Sequence, residues 1–300
     1  MKIGTLSLVT PAGCDGHCPY CVSRMTGLCN GGDVTVPRNF RKACDIAKEG
    51  GVTTVIITGK GEPMLYPDLI HTFMQSIGNK DELYRYNFPF IELQTNGLAM
   101  AKSMDQRGTI KQQQLAMDLE RWKIMGATHV ALSVVHYQQK RNREIYCPKD
   151  KHYNIAKMVE RLHAIGYTVR LNCIMVKGYI DTATKVRALI RYCKKHDVDQ
   201  LSIRPVTVPA NAKNNRVAKW AEAHNVWETL EDIKGMIKGQ GEQLLRLPHG
   251  AAIYDFEGQN VCLTDCLTHN EAPDEMRQII LLPDGRVMYD WQYEGAVLLR

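Results

Sequence analysis

The sequence predicts an α/β protein: a parallel sheet with helices on its outer face, forming a partial barrel or an open sheet, followed by a small antiparallel β module. Three observations lead there. Six short β-rich runs alternate with helical patterns over the first two thirds of the chain. Residues able to do chemistry collect directly after several of those runs. Beyond them the pattern changes to short β-like segments with no long helix between.

The strand candidates, in order, are "IGTLSLV" (3–9), "VTTVIIT" (52–58), "FIELQT" (90–95), "HVALSVV" (129–135), "TVRLNCIMV" (168–176) and "LSIRPV" (201–206). Helical patterns lie near 38–49, 68–77, 112–125, 152–165 and 182–196. Pro37 suits a first helical turn, Asp181 and Thr182 suit an N-cap, and Gly50–Gly51 and Gly166 suit C-terminal stops. Six strands are too few for a full eight-stranded barrel. Right-handed crossovers gather the strand C-termini and their loops at one edge, so functional residues are expected there. A helical stretch at about 217–238 ends a core unit of residues 1–239. Residues 240–300 are the module, with "QLLRL", "AAIYDF", "NVCL", "RQIILL" and "RVMYDW" as its strands. Its last two are separated by "PDG" (283–285), a hairpin turn.

Composition narrows the class. The 300 residues are 44% apolar and 23% charged, enough for a sizeable core. No run of about 18 apolar residues occurs, so no transmembrane helix and no membrane partner are expected. The start "MKIGTLSLVTPAG" reads as a strand rather than a secretory signal, which points to a cytoplasmic location. Ten cysteines in such a chain are expected to be reduced, some binding metal and others packed as small apolar residues. A net charge of +6 permits an anionic substrate without demanding nucleic acid, and a solvated basic surface explains it as well.

"CDGHCPYC" (14–21) follows the first strand and holds three cysteines. A structural zinc site takes four ligands and a disulfide two. A 4Fe–4S cubane takes one thiolate per iron, so three leave one iron open to a substrate or cofactor. The spacing C-x3-C-x2-C lets Cys14, Cys18 and Cys21 curl around one face of such a cube. Gly13 and Gly16 ease the turns and Pro19 stiffens the last one. "TGKGEP" (58–63) follows the second strand, "TNG" (95–97) the third, and "HYQQKRNR" (136–143) the fourth.

Cys14, Cys18 and Cys21 after a first strand, with aromatic Tyr20 before the last cysteine, resemble the signature of the radical S-adenosylmethionine (SAM) superfamily. The resemblance covers about residues 1–206. It implies a partial (β/α)6 radical SAM barrel, a 4Fe–4S cluster and SAM as cofactors, and an electron donor such as flavodoxin or ferredoxin. It also implies that SAM chelates the fourth iron and is reductively cleaved to a 5′-deoxyadenosyl radical that abstracts hydrogen from the substrate. "TGKGEP" resembles the family's GGE motif, so Gly61 and Glu62 are expected at the SAM amino group. A carboxylate and glycine suit that task, although an ordinary turn explains the residues too. Ser133 matches a small polar position for the SAM carboxylate or ribose. Arg170 and Asn172, polar inside an apolar strand, match further contacts to carboxylate and ribose, or serve a structural hydrogen bond. "QTNG" matches the third-strand ending, where Asn96 and Gly97 shape the cavity or simply turn the chain. "VRLNCIMVKGYID" and "IILLPDGRVMYDW" resemble cyclase and peptide-maturase branches with a reduced SPASM or twitch module.

"CLTDCLTH" carries Cys262, Cys266 and His269 at C-x3-C-x2-H spacing. A second cluster, a zinc site, a reactive thiol and plain packing are all open, and a single cluster per chain is the expectation. Cys29, Cys44, Cys147, Cys173 and Cys193 read as structural, although Cys147, in a long loop, could be exposed. Lys140, Arg141 and Arg143, after the fourth strand, are candidates for an anionic substrate group. Two function classes follow: radical chemistry on a phosphorylated or nucleotide-like small molecule, or on a polymer (RNA, DNA or peptide). A non-catalytic iron–sulfur binding protein is the minor alternative.

Overall fold

The computed structural model describes residues 1–27, 37–78, 86–104, 110–147, 149, 152–247, 250–264 and 274–300. Its first half runs β1 (Lys2–Thr10), α1 (Val22–Thr26), α2 (Pro37–Glu49), β2 (Thr54–Gly59), α3 (Pro67–Ile77), β3 (Phe90–Thr95), α4 (Leu98–Ser103), α5 (Ile110–Ile124) and β4 (His129–Val134). A 3₁₀ turn, Pro63–Leu65, sits between β2 and α3. Next come α6 (Gln139–Tyr146), α7 (Ile155–Ile165), β5 (Thr168–Met175), α8 (Ala183–Lys195), β6 (Gln200–Pro205), α9 (Asn215–Ala223) and α10 (Trp227–Gln240). The tail holds β7 (Glu242–Arg246), β8 (Ala252–Phe256), β9 (Gln259–Leu263), β10 (Glu275–Leu281), β11 (Val287–Met288) and β12 (Val297–Leu299).

Local chemistry explains several boundaries. Thr182 caps α8, its hydroxyl accepting from the Lys185 amide at 3.4 Å. Gly166 ends α7 in the left-handed region at φ 98°, where a Cβ would be strained. The expected helix at 217–238 is two helices, because residues 224–226 interrupt it between Ala223 and Trp227. The basic run after β4 is not a loop but the helix α6, and Cys147 at its end is buried rather than exposed.

The six core strands pair in parallel, as read from the strand–helix alternation, and they stand in sequence order, β1 to β6. The segment 240–300 is divided between both edges of that sheet. β10 pairs with β1 and β9 with β6, each in parallel, so eight parallel strands stand side by side. Antiparallel partners continue outward, β11 and β12 on one flank, β8 and β7 on the other. This pairing satisfies backbone groups that β1 and β6 would otherwise leave open. The "PDG" turn joins β10 to β11 as expected, with Gly285 at φ 85°.

The two faces of the sheet differ sharply. On the helix side Leu8, Ile57, Leu93, Leu132, Leu171 and Leu201 are fully buried. On the concave side the residues between them are mostly polar; Gln94, Ser133, Asn172 and Ser202 are half-exposed, while Ser7, Val9, Glu92 and Ala131 are buried. β5 alternates strictly: Thr168, Arg170, Asn172 and Ile174 are half-exposed, while Val169, Leu171, Cys173 and Met175 are buried. An all-apolar strand would be expected if both faces were packed. The polar face therefore lines an open lumen.

Candidate active site

The loop after β1 carries the three cysteines to the C-terminal rim, and its neighbours hold it from several sides. The Gly13 amide donates to the Tyr66 hydroxyl at 2.8 Å, and the His17 amide to the Tyr146 carbonyl at 2.8 Å. The Glu62 amide donates to the Gly13 carbonyl at 2.8 Å, and the Asn96 side-chain amide to Asp15 at 2.9 Å. Loops after β1, β2, β3 and β4 thus meet at one point, as parallel topology requires.

Cys14, Cys18 and Cys21 are free thiols. A Cβ placed on Gly16 would lie 3.2 Å from the Asn96 side-chain nitrogen, 3.4 Å from the Cys14 sulfur and 3.8 Å from that of Cys18, so Gly16 stands between the two sulfurs with little room to spare. Burial, and then the nearby Cys21 and Cys14 thiols, push the Cys18 thiol well up. Burial pushes Cys14 up to about 11. Among the described residues no three His, Cys, Asp or Glu side chains converge on a single ion. A cubane places each thiolate on a different iron and needs wider spacing than one ion does. The donor set and the glycine cradle fit a three-cysteine cluster, which would supply one-electron reduction at its open iron and draw the thiols into the thiolate form.

Glu62 is 2% exposed and accepts three hydrogen bonds. The Thr95 hydroxyl (2.6 Å) and the Met64 amide (3.0 Å) reach Oε1, and the Asn96 amide (2.7 Å) reaches Oε2. A carboxylate offers about four acceptor sites, so one stays free on Oε2 for an amino group. Burial pushes the Glu62 carboxyl up to about 7, against the pull of its three donors. A buried carboxyl so poised gains from a cationic or amino ligand.

Gly61 is explained first by packing. Its Cβ would overlap the Gly13 carbonyl oxygen and crowd Ala12, because the loops after β1 and β2 touch backbone to backbone. The Gly61→Ala variant is expected to destabilise the protein by on the order of 2–4 kcal/mol, since backbone sits on both sides of the clash. Thermal unfolding checks this, and an unchanged midpoint would show that the two loops can separate freely.

Ser133 and Asn172 are paired in register on β4 and β5 and face the lumen half-exposed. Neither side chain has a hydrogen-bond partner among the described residues. They remain available to a bound molecule. The row continues through Ser202 on β6 to Cys262 on β9, which stand opposite each other in register. Arg170 lies two residues deeper, roughly 6.6 Å below that row. Its guanidinium is paired with Glu92 of β3, which also accepts from Gln94 at 2.8 Å. Tyr20 is buried, its hydroxyl donating to that of Tyr146 at 3.1 Å and its ring 6.1 Å from Trp220. Its polar end is thus used inside the wall beneath the cysteine loop.

Arg141 is held by Glu144 at 2.5 Å, by the Gly178 carbonyl at 2.6 Å, and by the Tyr179 ring at 4.3 Å. It fastens α6 to the loop after β5 and is not open for a substrate. Lys140 and Arg143 are exposed. Cys266 and His269, named with Cys262 as a C-x3-C-x2-H group, lie outside the described residues.

Reading the sequence alone passes over Tyr66, Thr95, Glu92 and Arg204. Thr95 had a signal, since "QTNG" was marked, but its bond to Glu62 joins residues 33 positions apart. Arg204, two residues beyond Ser202, is a lumen cation at the rim end of β6. It has no hydrogen-bond or ion-pair partner among the described residues.

Comparison with known proteins agrees with this geometry. The family model "Radical SAM superfamily" matches residues 8–193, and no curated protein matches. Among solved structures, Streptococcus suis SuiB bound to S-adenosylmethionine aligns with TM-score 0.55 at 15% identity, over 98% of this chain and 60% of that one. The same protein bound to its precursor peptide SuiA gives 0.58 at 15% identity, over 96% and 60%. HydG, a maturase of the [FeFe]-hydrogenase, gives 0.55 at 15% identity, over 79% and 48%. The chain thus spans about three fifths or less of the length of these structures. Among the described residues no helix is long and apolar enough to cross a membrane. With the family model covering more than half its length, on the strands and loops that carry the three cysteines and Glu62, the chain belongs to the radical SAM superfamily, whose enzymes work with a 4Fe–4S cluster, SAM and an electron donor.

Proposed function

We propose that this protein reductively cleaves SAM and uses the resulting 5′-deoxyadenosyl radical to abstract hydrogen from an anionic small molecule, phosphorylated or nucleotide-like. The observation that carries the substrate class is Arg204. A half-buried guanidinium without a protein partner, on the rim of a polar lumen, is costly unless an anion meets it. Cys14, Cys18 and Cys21 hold the cluster. Glu62 receives the SAM amino group, with Ser133 and Asn172 free for its carboxylate or ribose. Lys140 and Arg143 add positive charge at the same edge. Fixing a phosphate or carboxylate there would orient the substrate against the radical carbon.

The test is anaerobic reconstitution followed by 5′-deoxyadenosine release against a panel of phosphorylated metabolites, nucleotides and peptides. Stimulation by an anionic small molecule is expected. With that substrate, Arg204→Gln should raise KM by about tenfold or more and spare the slow substrate-independent cleavage of SAM. Lys140→Ala/Arg143→Ala should raise KM by a few-fold at most, because both are solvent-exposed. Equal loss of both rates would assign Arg204 to SAM binding or folding.

A polymer substrate, peptide or nucleic acid, is the second reading, and one observation favours the peptide. β7 is an edge strand with every residue exposed, Leu244 and Leu245 included, and its outer hydrogen-bonding side is open to an added strand. Stimulation by peptides alone would decide for it.

A further inference from the structure

We infer that the face built by α1 and α9 is the docking surface for an acidic one-electron carrier protein; this rests on the reading that Cys14, Cys18 and Cys21 hold the cluster. α1 begins at the residue after Cys21. Its first residue, Val22, is 52% exposed, an apolar side chain standing in solvent beside a cluster ligand. Arg24, two residues further along α1, is also exposed.

α9 is fastened to α1 by backbone bonds. The Lys213 and Asn214 amides both donate to the Met25 carbonyl, at 2.5 and 2.9 Å. On α9 Ala218 and Ala221 are buried, and Arg216 and Lys219 stand one turn apart on the exposed side. Neither has a side-chain partner among the described residues. Lys213 is neutralised by Glu294 at 2.6 Å, and Glu222 is the exposed acid on the flank of α9. Among the described residues of α1 and α9 the balance of unpaired charge is therefore positive: Arg24, Arg216 and Lys219 against Glu222.

Depth favours the same face. Half-buried Trp220, on α9, has its ring 6.1 Å from that of Tyr20, which sits between Cys18 and Cys21 in the chain. A protein seated on α9 is then one layer of side chains from the cysteine loop. An exposed valine beside three cations suits a partner of opposite charge that must bind and leave quickly, since such charges chiefly raise the on-rate. The carrier would give up one electron, the cluster held by the three cysteines would take it, and no bond forms or breaks in the encounter.

The experiment titrates oxidised flavodoxin and, separately, oxidised ferredoxin into the reconstituted protein by calorimetry at low and high salt. At least one should bind, more weakly as salt rises. Arg216→Glu/Lys219→Glu should weaken that binding on the order of tenfold and flatten its salt dependence. Arg216→Gln/Lys219→Gln should lose less in the same direction, which keeps the test decisive if charge reversal disturbs α9. SAM cleavage driven by dithionite, which needs no docking, should match wild type in both variants. Equal affinity of wild type and variants, or no binding of either carrier, overturns the docking surface. Absence of dithionite-driven cleavage in wild type would instead overturn the cluster reading itself.

Discussion

Replacing Cys14, Cys18 or Cys21 with alanine is expected to abolish cluster assembly and with it all SAM cleavage. Each thiolate anchors its own iron, so no neighbour takes over the vacancy. Loss of an outer-shell partner alone usually costs 10–100-fold in metal affinity or activity, and loss of a ligand costs more. Reconstituted wild type should hold about four irons per chain, and each variant close to none. Cys262→Ala provides the contrast. Cys262 stands in the lumen opposite Ser202 and far along the chain from the cysteine loop. Its loss should leave the iron count near four if there is a single cluster. A wild-type value near eight would mean a second cluster, and full iron content in the Cys14 variant would sink the three-cysteine assignment.

The second large effect concerns Glu62 and pH. Its carboxyl is pushed up to about 7 by burial, and an amino group at Oε2 favours the ionised form. SAM affinity should therefore rise with pH up to about 7, approaching tenfold per pH unit below that value, and then level off. The sign for stability is the reverse. The folded state holds this proton more tightly than the unfolded chain, so the ligand-free protein loses stability as pH rises from 4.5 to about 7. Glu62→Gln should weaken SAM binding by roughly 10–100-fold, the worth of a charge-assisted hydrogen bond, and remove the limb below pH 7. It also turns an NH2 toward at least one of the three donors now satisfied by the carboxylate. Iron content should stay unchanged, because Glu62 holds no iron. An unaltered affinity and pH profile in the Gln variant would place the SAM amino group elsewhere.

Much of the site was legible because each part is local. The three cysteines share eight residues, Gly61 and Glu62 are adjacent, and each group follows a strand whose alternation is plain in the sequence. Arg170 shows where locality fails. Its polarity within an apolar strand marked it as buried and in need of a partner, but that partner, Glu92, is 78 residues away. Arg141 shows the converse. It stands beside Lys140 and Arg143 in sequence, yet the helix geometry of α6 turns it toward Glu144 and the loop at Gly178, and the other two toward solvent.

The sequence by itself determined the six strand–helix units, their parallel pairing and the three cysteines as candidate ligands, because hydrophobic periodicity and cysteine spacing act within one turn or strand. Only the tertiary structure decided which polar side chains are spent on one another and which face the lumen free. Ser133, Asn172 and Arg204 belong to the second group, Arg170 and Arg141 to the first. It also decided that residues 240–300 close both edges of the sheet, since β9 and β10 are drawn to whichever strands still offer unpaired backbone groups, and those lie about 60 and 270 residues away in the chain.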